Sequence, residues 1–196
     1  MAVRVEPLTG SGLIEALPAL ARLRIEVFRD WPYLYDGSLS YEQDYLAKFA
    51  ASSDALIVIA RYGDTIVGAS TGSSMAGHAG AFASAFRTHG LDPDAVYYFG
   101  ESVLLPAYRG QGIGHAFFDH REARARRHGR FSCTAFCAVV RPADHPARPL
   151  GYRGLDAFWT KRGYSKIAGL LADFAWKDID RAVPDAKPMQ FWSRPL

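Results

Sequence analysis

The sequence predicts an α/β domain in which a mixed sheet of about seven strands is flanked by helices. Three observations carry this. Two β-rich runs, 55–62 and 65–71, are joined by Gly63-Asp64, a hairpin signal. Stretches 9–28 and 40–51 repeat apolar residues at helical spacing. Residues 97–128 read as a strand, a tight glycine-rich turn and a helix.

Taken in order, residues 2–7 alternate as a short strand with Val3 and Val5 on one face. Thr9 and Ser11 offer caps for a helix whose stripe is Leu13, Leu17, Leu20, Arg24 or Ile25, and Phe28, with Pro18 a point at which it could divide. Phe28 to Gly37 then places Trp31, Tyr33 and Tyr35 in a loop bounded by Pro32 and Gly37. Loops are ordinarily polar, so these rings either plug the end of the core or wall an apolar cleft. The second helix has Ser40 as cap, Glu42 and Asp44 in its first turn, and Tyr41, Tyr45, Leu46 and Phe49 on one side. Residues 70–94 form a long connection with a short helix at 79–87; such a length belongs to a lid or to a tolerated insertion. Beyond the strand at 97–105 and the helix to 128, residues 132–140 are apolar enough for a strand buried on both faces. Three prolines keep 141–149 irregular, 155–164 is a helix closed by Gly163, and strands at 168–176 and 189–192 finish the chain. The last of these, 189–195, is apolar enough to be a sheet edge that pairs with a second copy, giving a homodimer.

At 196 residues, 49% hydrophobic and 22% charged, the chain reads as one soluble globular domain spanning 1–196. A net charge of +3 does not argue for nucleic acid but suits an anionic ligand. Cys133 and Cys137 lie four apart on one strand, roughly 13 Å, too far for a disulfide. They read as reduced thiols, and without a second pair they make no zinc site, so no metal is expected. The first residues lack the apolar core of a signal peptide, and no run approaches the ~20 apolar residues that span a bilayer. The expectation is a cytoplasmic protein that engages no membrane.

The turn Arg109-Gly110-Gln111-Gly112-Ile113-Gly114 opens a helix, where unpaired first-turn N–H groups and the helix dipole favour an anion. Its glycines let a bulky pyrophosphate approach the backbone. The dinucleotide pattern fails because His115 stands where its third glycine belongs, and the P-loop fails because His115-Ala116 replaces Lys-Ser/Thr. What remains is Arg-x-x-Gly-x-Gly directly after Val103-Leu104-Leu105-Pro106.

This resembles the acetyl-CoA motif of the GNAT superfamily of N-acyltransferases, with Arg109, Gly112 and Gly114 matching. Phe158-Trp159-Thr160-Lys161-Arg162-Gly163-Tyr164 resembles a second segment of that family. The resemblance spans nearly the whole chain and implies a sheet split between its fourth and fifth strands. It also implies acetyl-CoA as co-substrate and an amine-bearing small molecule or peptide as acceptor. Ser102, Val103 and Leu104 would bind the pantetheine arm, and Arg109, Gly110, Gln111, Gly112, Ile113 and Gly114 the pyrophosphate. A backbone N–H, that of Leu104, would steady the oxyanion. Trp159, also placed among the cofactor contacts, stands where the family's proton-donating tyrosine usually lies. Indole is no practical acid, so Tyr152 is the substitute, with Cys137 a weaker one.

Glu101 sits on the cofactor strand between Phe99 and Val103, read as its same-face neighbours, and a part-buried carboxylate suits a general base. It either takes the proton of the attacking amine or pairs with an arginine as structure. The acceptor would meet Glu26, Phe28, Trp31, Tyr33 and Tyr35, where rings and carboxylates suit a cationic amine. His78 is a candidate relay. Arg121, Arg124, Arg126, Arg127 and Arg130 form a solvated face or meet the CoA 3′-phosphate; a nucleic-acid surface is the weaker option. The alternative to an acetyltransferase is a non-catalytic CoA-binding sensor of the same fold, for which Trp159 is the support.

Overall fold

The computed structural model describes residues 2–78 and 80–196. One seven-stranded sheet runs β1-β2-β3-β4-β5-β7-β6. Its strands are β1 (Arg4–Leu8), β2 (Leu56–Tyr62), β3 (Thr65–Ser74), β4 (Val96–Leu104), β5 (Cys133–Val139), β6 (Ser165–Trp176) and β7 (Asp185–Pro195). Every neighbouring pair is antiparallel except β4 and β5. The helices are α1 (Gly10–Phe28), α2 (Leu39–Ala50), α3 (Gly80–Thr88), α4 (Ile113–His128) and α5 (Asp156–Lys161).

Alternation along β2 decides the layers. Ile57 and Ile59 pack with Leu13, Leu20 and Leu46 under α1 and α2. Leu56, Val58 and Ala60 pack with Ile113 and Phe117 of α4 on the opposite face. With helices on both faces the strand is apolar throughout, as a covered sheet requires. α1 runs unbroken through Pro18, which lies on its exposed side while Leu13, Ala16, Leu20 and Leu23 bury the other. The connection between β3 and β4 contains α3, whose Phe82 and Phe86 pack on Phe191 and close one end of the α1 face. No helix among the described residues is long and apolar enough to cross a membrane. The C-terminal strand is not an edge: β7 lies between β5 and β6, both of its sides are hydrogen-bonded, and the edges are β1 and β6. The homodimer expected from an exposed 189–195 edge therefore loses its basis.

Two irregularities shape the centre. β4 and β5 pair only at Val96↔Cys133, Tyr97↔Thr134 and Tyr98↔Ala135, after which they part and leave a gap toward their C-terminal ends. Opposite β3, the pairing passes from Ser70↔Ser102 to Gly72↔Phe99, so Thr71 alone faces both Gly100 and Glu101. This is a β-bulge, and its extra residue shifts the alternation by one. Tyr97 and Phe99 face α4, Tyr98 faces the α1 side, and beyond the bulge Val103 also faces α1. Glu101 therefore shares its face with Tyr98 and Val103, not with Phe99 as simple alternation predicted.

Arg121 fastens the bulge from the α4 side. It is 1% exposed. Its Nη1 donates to the carbonyls of Thr71 and Glu101 at 3.3 Å each, and its Nη2 to Ser102 Oγ at 3.0 Å. The guanidinium lies over Phe99, 4.2 Å from the ring centre. Burial pushes its pKa down to about 10. The arginine run of α4 is thus divided: Arg121 is interior, Arg126 and Arg127 are exposed, and Arg130 pairs with Asp54. The exposed members lie about 20 Å along the helix from its N-terminus at a 1.5 Å rise per residue, too far to serve a ligand held at the glycine turn. Arg121→Met leaves two buried carbonyls, those of Thr71 and Glu101, without their donor, and the expected loss is about 2–4 kcal/mol. Urea unfolding checks this: the midpoint falls with an unchanged slope, and an unaltered midpoint would show that the bulge holds itself.

Candidate active site

The glycine turn is built as an anion cradle. Gly112 caps α4 at φ +80, and Gly110 has φ +76, both in the left-handed region that favours glycine. A Cβ on either would meet no heavy atom within 4 Å, so the space above the turn is open. His115 and Ala116 N–H bond the Gly112 carbonyl, while those of Ile113 and Gly114 precede any helical acceptor. Arg109 Nε donates to Leu104 O at 3.1 Å and ties the turn to the end of β4. An open groove of about 670 Å³, bordered by Val3, Tyr62, Tyr108 and Gln111, lies alongside.

From the turn the open edge of β4 leads back to the bulge. Leu105 N–H bonds Val67 O, so the same register makes Val103↔Ala69 a bonded pair. Leu104 and Ser102 lie between such pairs, and their N–H and C=O groups point away from β3, into the gap that β5 has left. An extended ligand arm can bond there. Val103 cannot contribute: its backbone pairs with β3 and its side chain is in the core.

Beside the bulge, on the α1 face, lies a cavity of about 100 Å³. Glu101, Gly100 and Arg24 form its polar end. Phe28, the last residue of α1, and Tyr33 and Tyr35, from the loop after it, line one side, with Tyr41 and Tyr45 of α2. Phe82, Phe174, Trp176 and Met189 line another, with Tyr98, Cys137 and His78 between. The loop is held in place by Arg141, which pairs with Asp178 and donates to the carbonyls of Pro32 and Tyr33.

The polar end is one network. Arg24 Nε donates to Glu42 Oε2 at 2.5 Å, and its Nη1 pairs with Glu101 Oε2. Tyr35 Oη donates to Glu42 Oε1 at 2.9 Å. Glu42, fully buried, thus has both oxygens engaged. Glu101 borders the cavity, and the side-chain hydrogen bond that its carboxylate accepts among the described residues is that of Arg24 to Oε2. Burial alone would lower the pKa of Arg24, but Glu101, Tyr45 and Glu42 beside it reverse that and raise it, so the guanidinium is permanently charged. Burial pushes the Tyr98 hydroxyl and the Cys137 thiol up, the thiol to about 12, with Tyr98 Oη and Cys137 Sγ 3.0 Å apart. Burial also lowers His78 to about 4, which leaves a neutral imidazole hydrogen-bonded to Ser73 Oγ at 2.7 Å.

Of the acceptor-side residues expected from sequence, Phe28, Tyr33 and Tyr35 line the cavity and Trp31 does not; it stands outside with His145 and Tyr152, at ring distances of 5.0 and 6.0 Å. Tyr152 is not among the residues that line the cavity. Glu26 is exposed on the far side of α1; Arg24, two residues earlier, faces the cavity instead. Trp159 turns into the β5–β7 aromatic cluster, 5.0 Å from Phe136 and 5.2 Å from Trp192. Phe158 meets the turn instead, 3.6 Å from where a Gly114 Cβ would lie. Glu101 is paired with an arginine, Arg24, and it also borders the cavity. Arg24 and Glu42 went unread as site residues. The signal was present: each is a charge on the buried stripe of its helix, Leu20-Arg24-Phe28 and Glu42-Leu46-Phe49, and a buried charge needs a partner.

Solved structures share this architecture. The chain is similar to a ribosomal-protein-alanine N-acetyltransferase from Brucella melitensis, at TM-score 0.62 and 12% identity over 100% of both chains. It is similar to a putative acetyltransferase from Acinetobacter baylyi, at TM-score 0.64 and 12% identity over 100% of this chain and 93% of that one. An acyl-CoA N-acyltransferase from Pseudomonas aeruginosa gives 0.59 and 17% over 98% and 99%. At these identities the likeness is one of fold. A comparison with curated proteins gives no match. The family model described as "Acetyltransferase (GNAT) family" matches residues 20–155, and with the parted strands, the glycine turn and the bulge in place, the chain belongs to that family.

Proposed function

We propose that residues 1–196 form a single N-acetyltransferase domain that moves an acetyl group from acetyl-CoA to a primary amine, a small cationic amine or a protein amine, by direct attack. The observation that carries this is the position of Glu101: a bulge sets its carboxylate at the polar end of an aromatic cavity, next to the stretch of β4 whose backbone is open. The N–H groups of the 109–114 turn would hold the pyrophosphate, and the backbones of Ser102 and Leu104 the pantetheine arm. Acetyl-CoA supplies the acyl group and a thiolate leaving group. Glu101 Oε1 receives the amine proton as the C–N bond forms and the C–S bond breaks. Ser102 N–H suits the oxyanion better than that of Leu104, because it adjoins the bulge that carries Glu101. The departing thiolate is stable enough near neutral pH to take its proton from water. Holding the reactants along this track can supply roughly 7–11 kcal/mol of the barrier.

Calorimetric titration of acetyl-CoA into the protein, followed by CoA release and product mass with an amine panel, tests the reading. Micromolar binding and amine-dependent release are expected. A folded protein that binds no acetyl-CoA would leave the fold without this activity, and one that binds it but turns over no amine would be a sensor.

A further inference from the structure

One wall of the cavity contains a strained point. Leu34, between the lining residues Tyr33 and Tyr35, has φ +53, in the left-handed region. Glycine and asparagine enter that region readily; a leucine does not. Leu34 is also buried. A residue keeps such a conformation only where its surroundings over-determine it, and here they do. Leu34 N–H bonds Asp30 O at 3.0 Å, and Ile179 N–H donates to Leu34 O at 2.7 Å. Tyr35 N–H bonds Phe28 O, and Asp36 N–H bonds Lys177 O, both at 2.8 Å.

The side chains that hold the turn come from distant parts of the chain. Arg141 lies two residues beyond β5, and its side chain is only 9% exposed. Its Nε donates to Pro32 O at 2.9 Å and its Nη2 to Tyr33 O at 2.7 Å. Trp176 Nε1 donates to the same Tyr33 carbonyl at 2.9 Å. Asp178 orients the guanidinium with both of its oxygens, taking Nη1 at 2.7 Å and Nη2 at 2.9 Å. A planar fork that meets a carboxylate along one edge and two backbone carbonyls along another has a single orientation. Tyr33, Tyr35 and Trp176 line the cavity, whereas Arg141 and Asp178 stand behind them.

Resting on the acetyltransferase reading above, we propose that Arg141 is a positioning residue for the amine acceptor: it holds the strained Tyr33–Tyr35 turn so that this wall of the acceptor cavity is preformed. Its hydrogen bonds among the described residues go to Pro32, Tyr33 and Asp178. None goes to the 109–114 turn or to the open edge of β4, so its influence falls on the acceptor and not on acetyl-CoA. Without the fork Leu34 relaxes toward negative φ, Tyr33 and Tyr35 lose their placement, and the cost of ordering them is charged to acceptor binding.

The test is steady-state acetylation of phenethylamine, butylamine and a short peptide by the unmodified protein, Arg141→Lys and Asp178→Asn, with the unfolding midpoint of each recorded. Lysine keeps the positive charge beside Asp178 but brings one nitrogen where arginine uses three. Asp178→Asn keeps Arg141 and removes the charge that orients it. The expected result in both variants is an acceptor KM raised about tenfold, with kcat within about threefold and the KM for acetyl-CoA within about twofold. A merely structural role lowers the folded fraction, so that kcat falls while both KM values stand; that result overturns the proposal, as does an equal rise in the KM for acetyl-CoA. An unmodified protein that turns over an amine, with variants whose acceptor KM does not move, overturns this proposal alone. An unmodified protein that acetylates none of the amines overturns it together with the reading on which it rests.

Discussion

Glu101→Gln lowers kcat about a thousandfold while the affinity for acetyl-CoA stays within about twofold. General bases contribute roughly 10²- to 10⁴-fold, and the amine itself argues for the middle of that range. A primary amine with a pKa of about 10 has only about one molecule in a thousand unprotonated at pH 7. An enzyme whose carboxylate takes the proton can use the whole ammonium population; the variant must wait for the rare free base. That gives a signature beyond a lower rate. In the variant, log(kcat/KM) climbs with a slope of about one from pH 7 to pH 9, so the deficit closes with rising pH. Glutamine still accepts a hydrogen bond from Arg24, so the network beneath the cavity keeps its connectivity. If Glu101 served only to neutralise Arg24, the variant would lose stability in urea and show no recovery with pH. The rate profile and the unfolding midpoint together separate the two roles.

The parts of this site that were legible in the sequence are those specified by neighbours along the chain. The glycine turn needs only its own backbone freedom and the strand before it, and residues 97–114 carry both. The aromatic loop announces itself because rings in a Pro/Gly-bounded connection seek an apolar surround, and Tyr33 and Tyr35 find it on the cavity wall. What could not be read are the features set by distant partners. The bulge depends on how β4 registers against β3 and on Arg121 reaching across from α4. A one-residue slip of that kind moves Glu101 to the other face without changing any local pattern. Gly100 was the available hint, since glycine within a strand often marks a bulge; a Cβ there would lie 2.6 Å from Thr71 Oγ1. Likewise, strand order fixes whether an apolar strand is an edge, and the placement of β7 inside the sheet follows from β5 and β6 claiming its two sides. In the short α5, periodicity was too brief to tell which of Phe158 and Trp159 meets the turn.

Gly112→Trp abolishes acetyl-CoA binding, with the dissociation constant raised more than about a hundredfold, while the protein remains folded. Two costs have to be distinguished. Any side chain at φ +80 carries left-handed backbone strain of roughly 1–2 kcal/mol, which falls on stability. The indole adds an effect of another kind. Because a Cβ at this position points into open space, the ring meets no protein atom close to its attachment and occupies the volume above the Ile113 and Gly114 amides. Those are the groups that a pyrophosphate would need. Gly112→Ala pays the strain with a single methyl and is expected to keep affinity within about tenfold, so the contrast between the two variants isolates occlusion from distortion. Thermal unfolding supplies the control, since both variants should soften by a similar few degrees. Should Gly112→Trp bind acetyl-CoA as the unmodified protein does, the pyrophosphate cannot lie on this turn. The Ser102–Leu104 edge would then have no arm to receive.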